Sequence, residues 1–141
     1  MTTTLLLDTG PLVAFLDSND SYRAWARSQF EVHRPPLLTC EAVLAEAIYL
    51  LKRNGFNPSP IFTMLRRGAL LIPFALAEHE AQIEALMTRY NNVPMDLADA
   101  CLVCMSEMYP NSSVLTLDTD FAIYRRFANK PVPTIAPWHT G

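Results

Sequence analysis

Cysteine, histidine, glycine and charged residues are all scarce in the sequence. Its 141 residues include three cysteines, three histidines and four glycines, and charged residues make up only 18%. An odd number of cysteines without a charged and then apolar leader indicates no disulfide framework, and we expect a reducing cytoplasm. No apolar run approaches the roughly 20 residues that a membrane span needs, so we expect a soluble protein without a membrane partner.

Positive charge is also scarce, since 11 Lys and Arg stand against 14 Asp and Glu and give a formal net charge of −3. The overall field therefore does not attract phosphate, and a nucleic-acid partner would need a local basic patch and bound metal. This balance disfavours a simple DNA-binding module. Half of the residues are apolar, which suits a compact chain, and the length fits one domain over residues 1–141.

Cys101 and Cys104 form a lone C-x-x-C motif inside an apolar run. No second Cys or His pair is positioned to complete a zinc site. Free cysteine behaves as a small hydrophobe, so we interpret both residues as part of the core.

Strand and helix patterns alternate along the chain. The predicted strands are TTTLLL (2–7), LLTC (37–40), ALLIPF (69–74), SVLTL (113–117) and VPTIA (132–136). Six helices are predicted. The first begins at Pro11, and the second follows the polar interval 17–22 and ends at about Phe30. The third spans 41–53, the fourth begins at Pro58 and Pro60, and the last two span about 77–90 and 96–109. Strands separated by helices predict a three-layer α/β/α sandwich with a mainly parallel sheet of four or five strands.

Two predicted strands stop at an aspartate. Asp8 follows the first strand, and Asp118 follows the strand that ends at residue 117, with Asp120 two residues later. Each of the first two is also a good cap for the turn or helix that comes next. In parallel α/β sheets, however, function lies in the crevice beyond the carboxyl ends of the strands.

Two more acids lie on predicted helices. Glu46 is on the flank of the apolar stripe of helix 41–53, and its alternative role is that of an ordinary boundary residue with its tip in water. Asp99 lies in a helix that is otherwise apolar on every side over residues 97–105. A lone carboxylate there would cost several kcal/mol unless it is paired, hydrogen-bonded or metal-bound. For Asp96 we favour the role of N-cap of this helix.

If Asp8, Glu46, Asp99 and Asp118 converge within about 5 Å, each pair repels by about 3 kcal/mol at an effective dielectric constant of 20. The four cannot all stay ionised without a cation. Hard oxygen ligands select Mg²⁺ or Mn²⁺, and the three histidines lie outside every one of these motifs. One or two such ions activate a water and stabilise the leaving oxygen of a phosphodiester displacement. The acids therefore predict metal-assisted phosphoester hydrolysis.

Four motifs follow one another along the chain: LLLDTGPLVAFLD, EAVLAEAIYLL, MDLADACLV and VLTLDTDF. By the order and approximate spacing of these motifs, the sequence resembles PIN-domain ribonucleases, particularly the compact bacterial VapC-type toxins. The resemblance covers about residues 4–136. It implies a parallel sheet flanked by helices, an acidic pocket for Mg²⁺ or Mn²⁺, and endonucleolytic cleavage of RNA such as tRNA or other structured RNA. It also implies a homodimer that a small antitoxin silences.

Carried over by position, the resemblance implies specific roles. Asp8, Glu46, Asp99 and Asp118 match the catalytic and metal-binding acids, and Asp120 matches a further acid at the metals. Thr9 and Thr116 match small hydroxyl residues near the metals, while Asp96 is expected to contribute only to the electrostatics of the pocket. The candidate RNA-binding residues are Arg66, Arg67, Arg125 and Arg126, with Arg34, Lys52 and Arg53 as further basic groups, although such groups at helix ends are usually solvated.

Other functions remain open. A PIN-domain nuclease that processes RNA without being a toxin fits the same motifs, and a non-catalytic PIN-like scaffold should have lost some of the four acids. A phosphoacceptor receiver domain needs an aspartate at the end of its central strand, and ALLIPFALAE offers none. A phosphatase of the haloacid-dehalogenase type needs a second aspartate where Gly10 stands.

Overall fold

The computed structural model describes residues 3–139, so Thr2 of the first predicted strand lies outside the described residues. The strands are β1 (Thr4–Leu7), β2 (Leu37–Leu38), β3 (Leu70–Leu71), β4 (Ser112–Leu115), β5 (Arg125–Arg126), β6 (Lys130–Pro131) and β7 (Thr134–Ile135). The helices are α1 (Thr9–Leu16), α2 (Arg23–Val32), α3 (Glu41–Arg53), α4 (Ser59–Arg66), α5 (Glu80–Arg89) and α6 (Leu97–Met108). Among these residues, no helix has the length and apolar character to cross a membrane.

The central sheet has five parallel strands in the order β3-β2-β1-β4-β7. Leu6 of β1 is in register with Leu38 on one side and with Val114 on the other. The chain therefore starts in the middle of the sheet, winds outward through β2 and β3, and then returns to the other side of β1. In such a sheet the strand order reverses between β1 and β4, where a crevice opens at the carboxyl ends.

Helices cover both faces of the sheet because the central strands are apolar on both faces. Leu6 and Val114 pack into one core together with residues of α5 and α6. Leu5, Leu7 and Leu115 point the other way and pack with α1, α3 and α4. The predicted three-layer α/β/α sandwich with a mainly parallel sheet of four or five strands is confirmed, and the sheet has five strands.

Helix α6 is buried on all sides, as its composition predicts, since residues 98–106 are all buried. Cys101 and Cys104 belong to this stretch, and the three cysteines Cys40, Cys101 and Cys104 are free and buried. The interpretation of the C-x-x-C motif as core is therefore confirmed.

Several predicted boundaries differ from the structure. Helix α1 begins at Thr9 instead of Pro11, because Asp8 caps it and makes Thr9 the first helical residue. Strands β2, β3 and β7 are only two residues long, and a short 3₁₀ helix (Leu76–Glu78) precedes α5. The antiparallel pair β5 and β6 was not predicted, because its turn uses Phe127 and Ala128, with φ of 50° and 70°, instead of glycine or asparagine.

Thr39 supports the end of β1 where β2 leaves the sheet. Its buried hydroxyl donates a 2.8 Å hydrogen bond to the carbonyl of Leu7, the residue before Asp8. The side chain thus replaces a strand partner for the last carbonyl of β1. The backbone that presents Asp8 depends on this bond.

We predict that Thr39→Val, which keeps the shape but removes the hydroxyl, lowers the free energy of unfolding by about 1–2 kcal/mol. The reason is that the buried Leu7 carbonyl loses its partner. Urea denaturation measures the change, and Thr39→Ser, which keeps the hydroxyl, serves as the control. A valine variant as stable as the wild type would show that the bond contributes nothing.

Candidate active site

A cavity of about 330 Å³ lies at the carboxyl edge of the sheet, between the ends of β1 and β4. The residues that line it are Asp8, Thr9, Gly10, Glu46, Asp96, Asp99, Leu117, Asp118 and Thr119. The structure thus brings together the four acids predicted from the sequence, although they are up to 110 residues apart in the chain. None of the described lining residues is a Lys, Arg or His, so no basic side chain of the wall compensates the negative charge.

Three other cavities within residues 3–139 are larger, at about 340, 550 and 790 Å³. The charged residues that line them are one glutamate in the first, two glutamates in the second and one arginine in the third. The acidic cavity has more ionisable side chains than any of these three, so it is the candidate for chemistry that needs several such groups.

Asp8 is both a helix cap and a wall of the cavity. Its Oδ1 accepts a 2.8 Å hydrogen bond from the backbone N–H of Thr9, and its Oδ2 accepts one of 2.7 Å from the hydroxyl of Thr116. Burial raises the pKa of Asp8 to about 7, although these two hydrogen bonds lower it, and the charges of Asp118 and Glu46 raise it further. Asp8 therefore caps α1 and lines the cavity at the same time, and its catalytic role stays a prediction.

Thr116 links the two aspartates that follow the central strands. Its hydroxyl oxygen also accepts a 2.9 Å hydrogen bond from the backbone N–H of Asp118. The Asp118 carboxylate in turn accepts from the backbone N–H of Asp120, at 2.9 Å. Asp120 does not line the cavity, so its predicted contact with a metal has no direct geometric support and stays a prediction.

Asp99 is held near the start of α6. The Asp96 carboxylate accepts a 2.8 Å hydrogen bond from the backbone N–H of Asp99, which confirms Asp96 as the N-cap. Asp99 is only 5% exposed. Burial and the neighbouring charge of Asp96 raise the pKa of Asp99 to about 8. Asp96 also lines the cavity, and its auxiliary role in the site stays a prediction.

Tyr124 is a site residue that sequence reasoning missed. Its hydroxyl donates a 2.9 Å hydrogen bond to Oδ2 of Asp99, and the side chain is fully buried. The rings of Phe121 and Tyr90 pack edge-on against it, with centroids 5.2 and 5.1 Å away. Burial, followed by the bond to Asp99, raises the pKa of Tyr124, so the phenol remains a donor. A tyrosine six residues after a strand-end aspartate carries no sequence signal of this contact.

Glu46 is the most exposed of the four acids and lies at the rim of the cavity. Partial burial and the charge of Asp96 raise its pKa, and the nearby Thr9 hydroxyl lowers it. Thr9 itself is 4% exposed, and its Oγ1 makes no hydrogen bond of ordinary geometry. The buried hydroxyl oxygen of Thr9 thus lies in the wall of the acidic cavity without a full hydrogen-bond partner.

The donor set of the cavity fits a hard divalent cation. Its potential ligands are carboxylates and a hydroxyl, which suit Mg²⁺ or Mn²⁺, and a cation would lower the pKa of each acid. Within residues 3–139 no group of three or more His, Cys, Asp or Glu side chains is already arranged to hold a metal ion. Cation binding therefore requires the carboxylates to turn toward one another, which their mutual repulsion opposes in the free protein.

The predicted RNA-binding arginines do not reach the cavity. Arg66 and Arg67 end α4 just before β3 begins, which places them at the amino edge of the parallel sheet, opposite the acids. Arg125 donates to the carbonyls of residues 122–124, and Arg126 donates to the carbonyls of Ser106 and Pro110. These guanidinium groups stabilise the fold, and their contact with RNA stays a prediction.

Comparisons with known proteins agree with this geometry. A family model described as PIN domain matches residues 5–126. Ribonuclease VapC26 of Mycobacterium tuberculosis (strain ATCC 25618 / H37Rv) is 26% identical over 116 residues, which cover 81% of this chain and 86% of that protein. The crystal structure of Mycobacterium tuberculosis VapC20, a sarcin–ricin loop cleaving toxin, is similar in fold, with a TM-score of 0.73. That similarity has 20% identity and covers 85% of this chain and 94% of that one.

We predict that the metal-free protein loses stability as the pH rises from about 5 to 8. Asp8 and Asp99 have pKa values of about 7 and 8 in the folded chain, well above the ordinary 3.8. The folded state therefore binds more protons than the unfolded state in this window, and deprotonation favours unfolding. Thermal melting in EDTA measures the trend.

The control variant for this prediction is Asp99→Asn, which removes one of the two titrating groups. Its melting temperature should depend less on pH and should exceed that of the wild type at pH 8, by several degrees for each kcal/mol gained. A wild-type melting temperature that rises or stays constant across the window would contradict the account.

Proposed function

Because the chain belongs to the PIN domain family, whose model matches residues 5–126, we propose that it is a metal-dependent endoribonuclease. The observation that carries the proposal is the convergence of four acids on one cavity whose described wall has no basic residue. The name of the relative VapC26, a ribonuclease, supports RNA as the substrate. The reaction is hydrolysis of an RNA phosphodiester bond.

Asp8, Glu46, Asp99 and Asp118 would hold one or two Mg²⁺ or Mn²⁺ ions. When bound, such an ion supplies Lewis-acid activation of a water and stabilises the charge on the leaving oxygen. The acidic wall of the cavity repels anions, so an RNA phosphate would need the positive charge of a bound cation to enter it. The net charge of −3 gives the chain no overall attraction for phosphate.

The chain's own residues position the ligands. Thr116 and the backbone N–H of Thr9 hold both oxygens of Asp8, while Tyr124 holds one oxygen of Asp99. Asp99 and Asp118 each keep a carboxylate oxygen without a described hydrogen bond. Asp8 and Asp99 hold protons near neutral pH and release them when positive charge enters the cavity.

The remaining predicted residues have supporting roles. The partly unpartnered hydroxyl of Thr9 is a further oxygen donor inside the cavity. Asp96 caps α6 and adds negative charge, and Asp120 fixes the orientation of Asp118 through its backbone N–H. Asp120 contributes to cation binding only through its charge unless its side chain turns inward.

We propose that the protein is the toxin of a toxin–antitoxin pair, cutting tRNA or another structured RNA in the cytoplasm. VapC20 is a sarcin–ricin loop cleaving toxin by its description, and its fold is similar to this one. The proposed partners are a small antitoxin protein and a second copy of the chain. An RNA-processing nuclease that is not a toxin is the second candidate, whereas a non-catalytic scaffold fits less well because all four acids are present.

We predict that the purified protein cleaves RNA in Mg²⁺ or Mn²⁺ and that EDTA stops the cleavage. Asp8→Asn and Asp99→Asn should each lose at least about a hundredfold in rate, since each removes a charged ligand inside the cavity. Gel analysis of total RNA and of a defined tRNA measures the cleavage. Glu31→Gln, which neutralises an exposed acid of α2, is the matched control and should cut at the wild-type rate. Cleavage that persists in EDTA or in Asp8→Asn would refute the proposal.

The toxin proposal has a separate test. Induced expression of the wild-type chain in a bacterial host should arrest growth, whereas expression of Asp99→Asn to the same level should not, because the variant lacks the nuclease. Co-expression of a short open reading frame found directly upstream of the gene should restore growth. An active nuclease that leaves growth unaffected would favour the second candidate, an RNA-processing enzyme.

A further inference from the structure

Tyr124 holds one half of a carboxylate that lines the acidic cavity. Its hydroxyl donates a 2.9 Å hydrogen bond to Oδ2 of Asp99, and the tyrosine side chain is fully buried. The other oxygen, Oδ1, accepts no described hydrogen bond, and it is not among the polar atoms that are fully buried without a partner. Because Asp99 lines the cavity, Oδ1 is the oxygen that it presents there. The tyrosine thus divides the carboxylate into one oxygen bonded to the protein and one oxygen open to the cavity.

The phenol ring of Tyr124 has little freedom to leave this position. The rings of Phe121 and Tyr90 pack edge-on against it, with centroids 5.2 and 5.1 Å away. The hydroxyl of Tyr90 in turn accepts a 2.9 Å hydrogen bond from the backbone N–H of Arg125, which follows Tyr124 in the chain. Two aromatic rings and a backbone hydrogen bond therefore keep the donor in place beside Asp99.

Asp99 does not turn both of its oxygens toward the cavity while this bond is intact. Such a turn would move Oδ2 away from the phenol and leave the buried hydroxyl of Tyr124 without a partner, which is costly. Asp8 is restrained more strongly, since the backbone N–H of Thr9 and the hydroxyl of Thr116 hold its two oxygens. The fold therefore restrains the two most buried acids of the cavity, and Asp99 keeps one free oxygen.

We propose that Tyr124 limits Asp99 to a single ligand oxygen and thereby makes the site select Mg²⁺ against Ca²⁺. Mg²⁺ is small and demands near-octahedral geometry, whereas Ca²⁺ accepts more ligands in flexible geometry, including carboxylates that bind through both oxygens. A carboxylate with one oxygen tied to the protein suits the smaller ion and denies the larger ion a bidentate ligand. Tyr124 is a positioning residue, since it acts through Asp99. The inference rests on the proposed function, because it assumes a divalent cation among the acids.

The test loads the folded protein with Mn²⁺ and displaces it with MgCl₂ or CaCl₂, while electron paramagnetic resonance reports the free Mn²⁺. The wild type should bind Mg²⁺ more tightly than Ca²⁺. Tyr124→Phe keeps the ring and removes only the hydroxyl, so it should lose about tenfold in Mg²⁺ affinity and much less in Ca²⁺ affinity. Tyr90→Phe is the matched control, because it removes a hydroxyl of the same aromatic cluster that does not bond to Asp99. It should keep the wild-type ratio of the two affinities.

An unchanged ratio of Mg²⁺ to Ca²⁺ affinity in Tyr124→Phe would overturn the proposal, even if both affinities fell, because the tyrosine would then contribute to stability alone. Circular dichroism establishes that each variant is folded. If Tyr124→Phe does not fold, the wild type decides, since a protein that binds Ca²⁺ as tightly as Mg²⁺ contradicts the proposal.

The titration uses no RNA, so its result is separate from that of the cleavage assay. A protein that selects Mg²⁺ through Tyr124 but cuts no RNA would refute the proposed nuclease and leave this inference intact. A wild type that binds none of the three cations would refute both.

Discussion

The structure depends on one constraint, the burial of neighbouring carboxylates where the strand order of the sheet reverses. Asp8 and Asp99 are about 95% buried, and the described wall of their cavity has no basic residue. Buried charges are costly unless they are protonated or paired with a cation, and neighbouring charges of like sign add to the cost. Burial is the main cause of the raised pKa values of both acids, and the charges of the neighbouring carboxylates raise them further. A bound cation would remove the cost and leave the carboxylates ionised.

The same acids also build the local structure that positions them. Asp8, Asp96 and Asp118 each accept a hydrogen bond from a backbone N–H at the start of a helix or 3₁₀ turn. Capping needs only one carboxylate oxygen, so it does not exclude a role in the cavity. Asp8 therefore caps α1 and also lines the cavity, and its role as a ligand stays a prediction. For Asp96 the cap is the confirmed role.

The fold class and the four acids could be predicted from the sequence because each depends on a short local pattern. Apolar runs predict the strands, and the apolar surroundings of Asp99 predict that its carboxylate is paired, hydrogen-bonded or metal-bound. The contact of Tyr124 with Asp99 could not be predicted, because it depends on the path of the chain after β4. The position of Arg66 at the opposite edge of the sheet follows from the direction of α4. Such contacts arise from tertiary packing and leave no local signal.

The most direct test of the central claim is calorimetric titration of the protein with Mn²⁺ at pH 7 in buffers of different ionisation enthalpy. If the cavity holds protonated carboxyls that a cation displaces, binding releases about one proton per chain. The observed enthalpy then changes with the buffer, and Asp99→Asn reduces both proton release and affinity. Absence of Mn²⁺ binding, or binding without proton release that persists in Asp8→Asn, would contradict the account.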